Sequence, residues 1–130
     1  MPSIGNVTRI AKTSSSDDDI LIGSFDCSGY QDVRVAINHY GETSPITVAR
    51  VEGTLWPDAD TDEAETRGWV QLASLQDFSP NGDLSPNTSA AVLVDTRGYQ
   101  RLRVLASAVS ADGSTVCFAR CDFAGIGVSR

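Results

Sequence analysis

The sequence predicts an all-β fold, two antiparallel sheets packed face to face in a jelly-roll-like sandwich of about eight strands built from two similar halves. Three observations carry this. A ten-residue phrase occurs twice, as Asp26-Cys27-Ser28-Gly29-Tyr30-Gln31-Asp32-Val33-Arg34-Val35 and as Asp95-Thr96-Arg97-Gly98-Tyr99-Gln100-Arg101-Leu102-Arg103-Val104, with Asp, Gly, Tyr, Gln, Arg and Val at matching places. Short runs of alternating apolar and polar residues recur along the chain, bounded by Gly, Pro, Asn, Asp and Ser. No stretch sustains the apolar period and caps of an amphipathic helix, so little helix is expected. An up-and-down barrel is the competing closure.

In chain order, residues 3 to 12 alternate around Ile4, Val7 and Ile10 and predict a first strand, or an arm laid along another subunit. Ser14 to Asp19 is a polar loop. Residues 1–19 are therefore read as an amino-terminal arm or edge strand with its loop, and residues 20–130 as a single β-sandwich domain. Ile20 to Phe25 forms a strand that runs into the first phrase, where Asp26 and Gly29 supply a tight turn and Tyr30 opens the next strand, ending near Asn38. After turns at Tyr40-Gly41 and Ser44-Pro45, Ile46 to Leu55 alternates again, with an irregularity at Ala49-Arg50, until Pro57 stops it. Asp58 to Glu65 is the most acidic stretch and reads as an exposed loop with room for one helical turn. Gly68 to Leu75 resumes a strand, and Ser79 to Thr88 makes a long surface loop. Ala91 to Val94 leads into the second phrase, where Asp95, Gly98 and Tyr99 repeat the turn, and Gln100 to Ser107 follows. Asp112-Gly113 is a hairpin signal. The last long strand, Thr115 to Phe123, is largely apolar, which predicts a central position.

With 130 residues, 41% of them hydrophobic and 21% charged, the chain suits one globular domain. Its formal net charge of -7 argues against binding a nucleic-acid backbone and suits solubility or a basic partner surface. Met1 to Thr13 lacks the apolar core of an export signal, and no apolar run approaches the roughly 20 residues of a membrane span, so a soluble protein is expected, without a membrane partner. Cys27, Cys117 and Cys121 are an odd set. Cys117 and Cys121 share a strand face about 13 Å apart, too far to bridge. Buried thiols, a bond from Cys27 to one of the others, or a bond between subunits remain open.

Asp58, Asp60 and Asp62 have the alternating spacing that opens a calcium loop, but Glu63 stands where the turn needs Gly and Trp69 where the bidentate Glu should be. No metal site or cofactor is therefore assigned. His39 is the only histidine and no nucleophile motif accompanies it, so no catalytic residue is assigned and the chain is not expected to be an enzyme. Tyr30 and Tyr99 open matching strands and read as structural rings, their hydroxyls reaching backbone. Arg34 and Arg103, at equivalent places on polar faces, are expected to pair with nearby acids, each exposed pair contributing about 1 kcal/mol or less. Trp56, followed by Pro57 and the acidic loop, is the better candidate for an outside contact.

The phrase Asp-x-x-Gly-Tyr-x-x-(Val/Leu)-Arg-Val, with Val51-Glu52-Gly53-Thr54-Leu55-Trp56 and Trp69-Val70-Gln71-Leu72 between its copies, resembles small β-sandwich proteins of tailed-bacteriophage virions over roughly residues 22 to 123. The loop after Trp56 is longer and more acidic than that pattern. The resemblance implies a head decoration, or cement, protein, made in the host cytoplasm and carried on the outer surface of the virion head. Its partner would be the major capsid protein, and its copies would form an oligomer, with a trimer favoured. Contact candidates under this reading are Ile4 and Val7 in the arm, Trp56, Asp58, Asp60 and Asp62 in the acidic loop, and Phe78, Asn81 and Asn87 around the later loop. The runner-up is a tail, neck or baseplate adaptor or a carbohydrate-binding module.

Overall fold

Alternation sorts side chains to the two faces of each strand: Val33, Val35 and Ile37 are fully buried while Arg34, between them, is exposed. The computed structural model describes residues 3–4, 8–13, 20–39, 45–62, 64–85, 87–108 and 116–127. They form β1 (Ser3–Ile4), β2 (Thr8–Thr13), β3 (Ile20–Asp26), β4 (Asp32–His39), β5 (Ile46–Thr54), β6 (Trp69–Ser74), the one-turn helix α1 (Leu75–Phe78), β7 (Thr88–Asp95), β8 (Arg101–Ala108) and β9 (Val116–Ile126).

One sheet runs β1-β9-β4-β7, with β2 also on β9, and the other runs β3-β8-β5-β6. Every pairing is antiparallel. The pairs β2 with β9, β3 with β8, β4 with β7 and β5 with β6 join the chain's outermost strands first and its innermost last. That is one long hairpin wound over itself, the jelly roll. Between the sheets lie Ile22, Phe25, Val33, Val35, Val51, Leu102, Val104 and Phe123, with the rings of Phe25 and Phe123 stacked at 5.3 Å. β9 is central, as its apolar run predicts.

The repeated phrase is the corner where the chain changes sheets. It passes from β3 to β4 through the first copy and from β7 to β8 through the second, so the halves are related by a pseudo-two-fold that exchanges the sheets. In each turn the aspartate accepts from a backbone N–H two residues on, Ser28 at 3.0 Å and Arg97 at 3.1 Å. The glycines take the left-handed backbone that a Cβ disfavours, φ 87° at Gly29 and 89° at Gly98. The turns are also bonded to each other: Cys27 N donates to Gln100 O at 3.1 Å and Thr96 N to Gln31 O at 3.0 Å. Their side chains repeat the exchange, the Cys27 thiol reaching Tyr99 O and the Thr96 hydroxyl reaching Tyr30 O. Each tyrosine ring then covers a glycine near the end of a central strand, Tyr30 over Gly125 of β9 and Tyr99 over Gly53 of β5.

Some expectations fall on residues that are not described, and others need correction. Asp112 and Gly113 lie outside the described residues, as do Val7, Tyr40 and Glu63. The strands flanking Asp112-Gly113 do not form a hairpin, because β8 is already held between β3 and β5, and β9 between β2 and β4. Leu75 begins α1 instead of ending a strand: Asp77 accepts from Ser74 N at 2.8 Å and closes a capping box. Phe78, expected at a partner surface, is 6% exposed because α1 turns it into the core.

The tyrosine-on-glycine contacts are testable. A Cβ at Gly125 would lie 2.5 Å from the Tyr30 ring. Gly125→Ala should lower unfolding stability by about 1–3 kcal/mol in urea titrations. Combined with Tyr30→Ala it should cost less than the sum of the two changes. Strict additivity would show that the ring does not bear on that glycine.

Candidate functional site

β5 ends at Thr54, whose hydroxyl accepts from Trp56 N at 3.1 Å and turns the chain outward at Pro57. The acidic stretch then folds back over the outer face of the β3-β8-β5-β6 sheet. Its successive carbonyls accept from side chains of that face: Ala59 O from Arg101 at 3.4 Å, Asp60 O from the Trp69 indole at 3.0 Å, and Asp62 O from Arg103 at 2.7 Å, with Thr61 O at 3.5 Å from the same guanidinium. With the backbone turned inward, Asp58, Asp60 and Asp62 remain exposed.

Arg103 is the centre of this arrangement. It is 0% exposed, so its charge would be costly without partners. Glu52 takes it at 2.7 Å and also accepts from Arg50 at 3.0 Å, while Arg103 lies over the Trp69 ring at 4.3 Å. The expected exposed pair at Arg103 is thus replaced by a buried cluster. The reason is local: the loop that covers this arginine lies over β8, whereas Arg34 on β4 stays exposed.

The loop displays an apolar corner. The Trp56 ring rests on Gly68, where a Cβ would come within 2.6 Å of it and where φ is 82°. Its other side is open, leaving Trp56 51% exposed beside Leu55 at 62%, and Val70 at 53% is set by register next to that end of β5. Asp60 and Asp62 use a carboxylate oxygen to accept from Asp62 N and Ala64 N at 3.0 and 2.9 Å. Among the described residues no group of three His, Cys, Asp or Glu side chains converges as a metal site.

The remaining candidates are dispersed. Ile4 lies in β1 opposite Ala124, at the end of the sandwich that carries the turns. Asn81 and Asn87 are exposed in the segment after α1, near the Ile46 end of β5 where Leu84 bridges Ile46. The acidic loop leaves from the other end of that nine-residue strand. His39 is buried at the end of β4, opposite Ala119. Cys27 and Cys121 are buried free thiols. Burial pushes the Cys27 thiol up to about 11 and raises that of Cys121 further, which keeps both protonated at neutral pH.

No family model matches the sequence, and no curated protein matches it. Solved structures match in fold. A chain from infectious bursal disease virus, Gx strain, aligns with TM-score 0.51 and 7% identity over 98% of this chain, and one from the Gt strain with 0.50 and 8% over 98%. This chain spans about a third of those two, 34% and 33% of their lengths. A chain of the Triatoma virus empty capsid aligns with TM-score 0.47 and 11% identity, covering 99% of this chain and 92% of that one. At such identities the likeness is one of fold alone.

Two predictions follow from the loop's anchoring. Arg103→Met leaves Glu52 with Arg50 as its one remaining cation and frees the carbonyls above the sheet, and should cost about 3 kcal/mol in urea unfolding. Arg103→Met with Glu52→Met should cost less than the two changes summed, and an additive result would deny the pairing. At the loop's far end, bonds from Arg67 hold the Glu65 carboxyl at about 2, below its ordinary 4.5. Because the folded value is lowered, this pair's small contribution is complete above pH 4.5 and fades as pH falls towards 2. A carboxyl titration followed by NMR should give a midpoint near 2 for Glu65, returning towards 4.5 in Arg67→Ala.

Proposed function

We propose that the chain is a structural virion protein, a decoration or cement module that binds the outside of a tailed-phage head and bridges neighbouring capsomers. The observation that carries this reading is the half-exposed Trp56, seated on Gly68 at the start of an acidic loop whose backbone is bound to the sheet by Arg101, Trp69 and the buried Arg103. A preorganised aromatic anchor with an open face is suited to adhesion, because little conformational freedom is lost on contact. The resemblance of the repeated phrase to small virion proteins points the same way.

On this reading the partner is the major capsid protein, and the net charge of -7 steers the module towards basic patches on the shell. Many copies, each burying a modest interface across a capsomer boundary, make separation of the capsomers cooperative. The protein is then an adhesion element on the head surface and carries out no reaction. Its copies associate, and the trimer implied by the resemblance is the number to test. A second reading, a carbohydrate-binding or tail adaptor module, is favoured by one feature of the same corner: a flat, half-exposed indole can stack on a sugar ring, and the exposed Asp58 and Asp60 follow it in the chain as acceptors for hydroxyls.

Co-sedimentation with expanded empty phage shells separates the readings. The wild-type chain should pellet with shells and raise their melting temperature, and Trp56→Ala should weaken binding about tenfold or more. Retention on a polysaccharide column that Trp56→Ala abolishes, without shell binding, would transfer the corner to the second reading.

A further inference from the structure

The two sheets have four edges, and they are not alike. β1 and β2 line one edge as two separate strands, the second carrying Arg9 and Lys12. β3 is broken in register between Leu21 and Gly23, and β6 sits on a register shift at Val51 and Glu52. Charges, interruptions and bulges are the devices that keep sheet edges from pairing with other chains. β7 has none of these three, and the helix packed near it, α1, is a single turn of four residues against the eight of the strand. The strand stays in unbroken register with β4 from Asp95 to Thr88. From Thr88 to Val94 it contains no charge, no Gly and no Pro. Its outer positions are exposed, with Leu93 at 50%, and among the described residues β4 is its only strand partner.

We propose that β7 pairs antiparallel with β7 of a second copy of this chain, across a two-fold axis, joining two sheets into one. Strand alternation favours this occupant. With the axis at Val92 or Leu93, outward positions fall opposite outward positions, so Ala91 and Leu93 of both copies form one apolar strip and the inner faces stay on one side. Charge favours it as well. Copies carrying a net charge of -7 repel over most of their surface, and this edge is uncharged over seven residues, Thr88 to Val94. The first acid beyond it, Asp95, is paired with Arg97 at 2.9 Å and falls opposite Ser89 or Ala91 in those two registers, never opposite another Asp95.

The test needs only the purified chain, so its outcome is independent of shell binding. Sedimentation equilibrium up to about 200 µM, a range suited to a small interface, should show concentration-dependent association, and β7 amides should exchange more slowly as association proceeds. Ala91→Lys/Leu93→Lys, placed at exposed positions, should keep the circular dichroism of the folded chain and halve the particle mass, whether that mass begins as a dimer or as a trimer of dimers. Gln71→Lys on the β6 edge should leave it unchanged. A wild-type monomer at every concentration would overturn the proposal, as would an oligomer whose mass the double variant does not change.

Discussion

The fold depends on a crossed pair of backbone hydrogen bonds, Cys27 N to Gln100 O and Thr96 N to Gln31 O. A jelly roll must carry its chain between two sheets without leaving polar backbone unpaired at the crossing. Here each crossing supplies the partner the other lacks. The same turns dock onto the central strands, with Gln31 N donating to Ile126 O and Gln100 N to Thr54 O, so one end of the sandwich is closed by two interlocked copies of one device. The buried side chains of Cys27 and Thr96 extend it to the carbonyls of the opposite tyrosines. A thiol and a hydroxyl can exchange places here because each needs only one short donor.

This explains why so much of the fold was legible in the sequence. A pseudo-two-fold corner demands the same residues twice: Asp for the turn, Gly for positive φ, Tyr for the lid and an alternating strand beyond. The strands around it follow from period two, and the central position of β9 follows from its continuous apolar run. Less legible were features set by what lies across from a strand. Asp112-Gly113 has hairpin chemistry, yet the strands on either side already have both neighbours elsewhere. Leu75 continues an apolar alternation, yet the capping box at Ser74 and Asp77 starts a helical turn there.

The candidate site was legible only in part for the same reason. Trp56 stood out because a large aromatic residue precedes a proline and an acidic run. Arg103 did not, because in the repeated phrase it is indistinguishable from Arg34. What separates them is tertiary: a loop folded over β8 and the presence of Glu52 and Trp69 beneath it. Acidic composition correctly implied exposed carboxylates but said nothing of the backbone, which is bound to the sheet at four successive carbonyls. An aspartate-rich stretch can therefore be both solvent-facing and rigid, since its side chains and its carbonyls point to opposite sides.

A module that bridges two subunits needs separated contact surfaces on a body that does not bend between them. β5 provides the spacing. The loop bearing Trp56 leaves one end of it, and the segment with Asn81 and Asn87 lies near the other, a separation of about 26 Å at the rise of an extended strand. β5 is also flanked by β8 and β6 on its two sides, so the span is held by a sheet and not by a single strand. Under the proposed role, sequence variation at the two ends could retune either contact without touching the crossing that closes the sandwich. The β7 edge adds a third direction, lateral to the other two. Under that role, adhesion along three directions from one small body would suit a lattice-covering protein, and dispersed surfaces would serve it better than a single deep pocket.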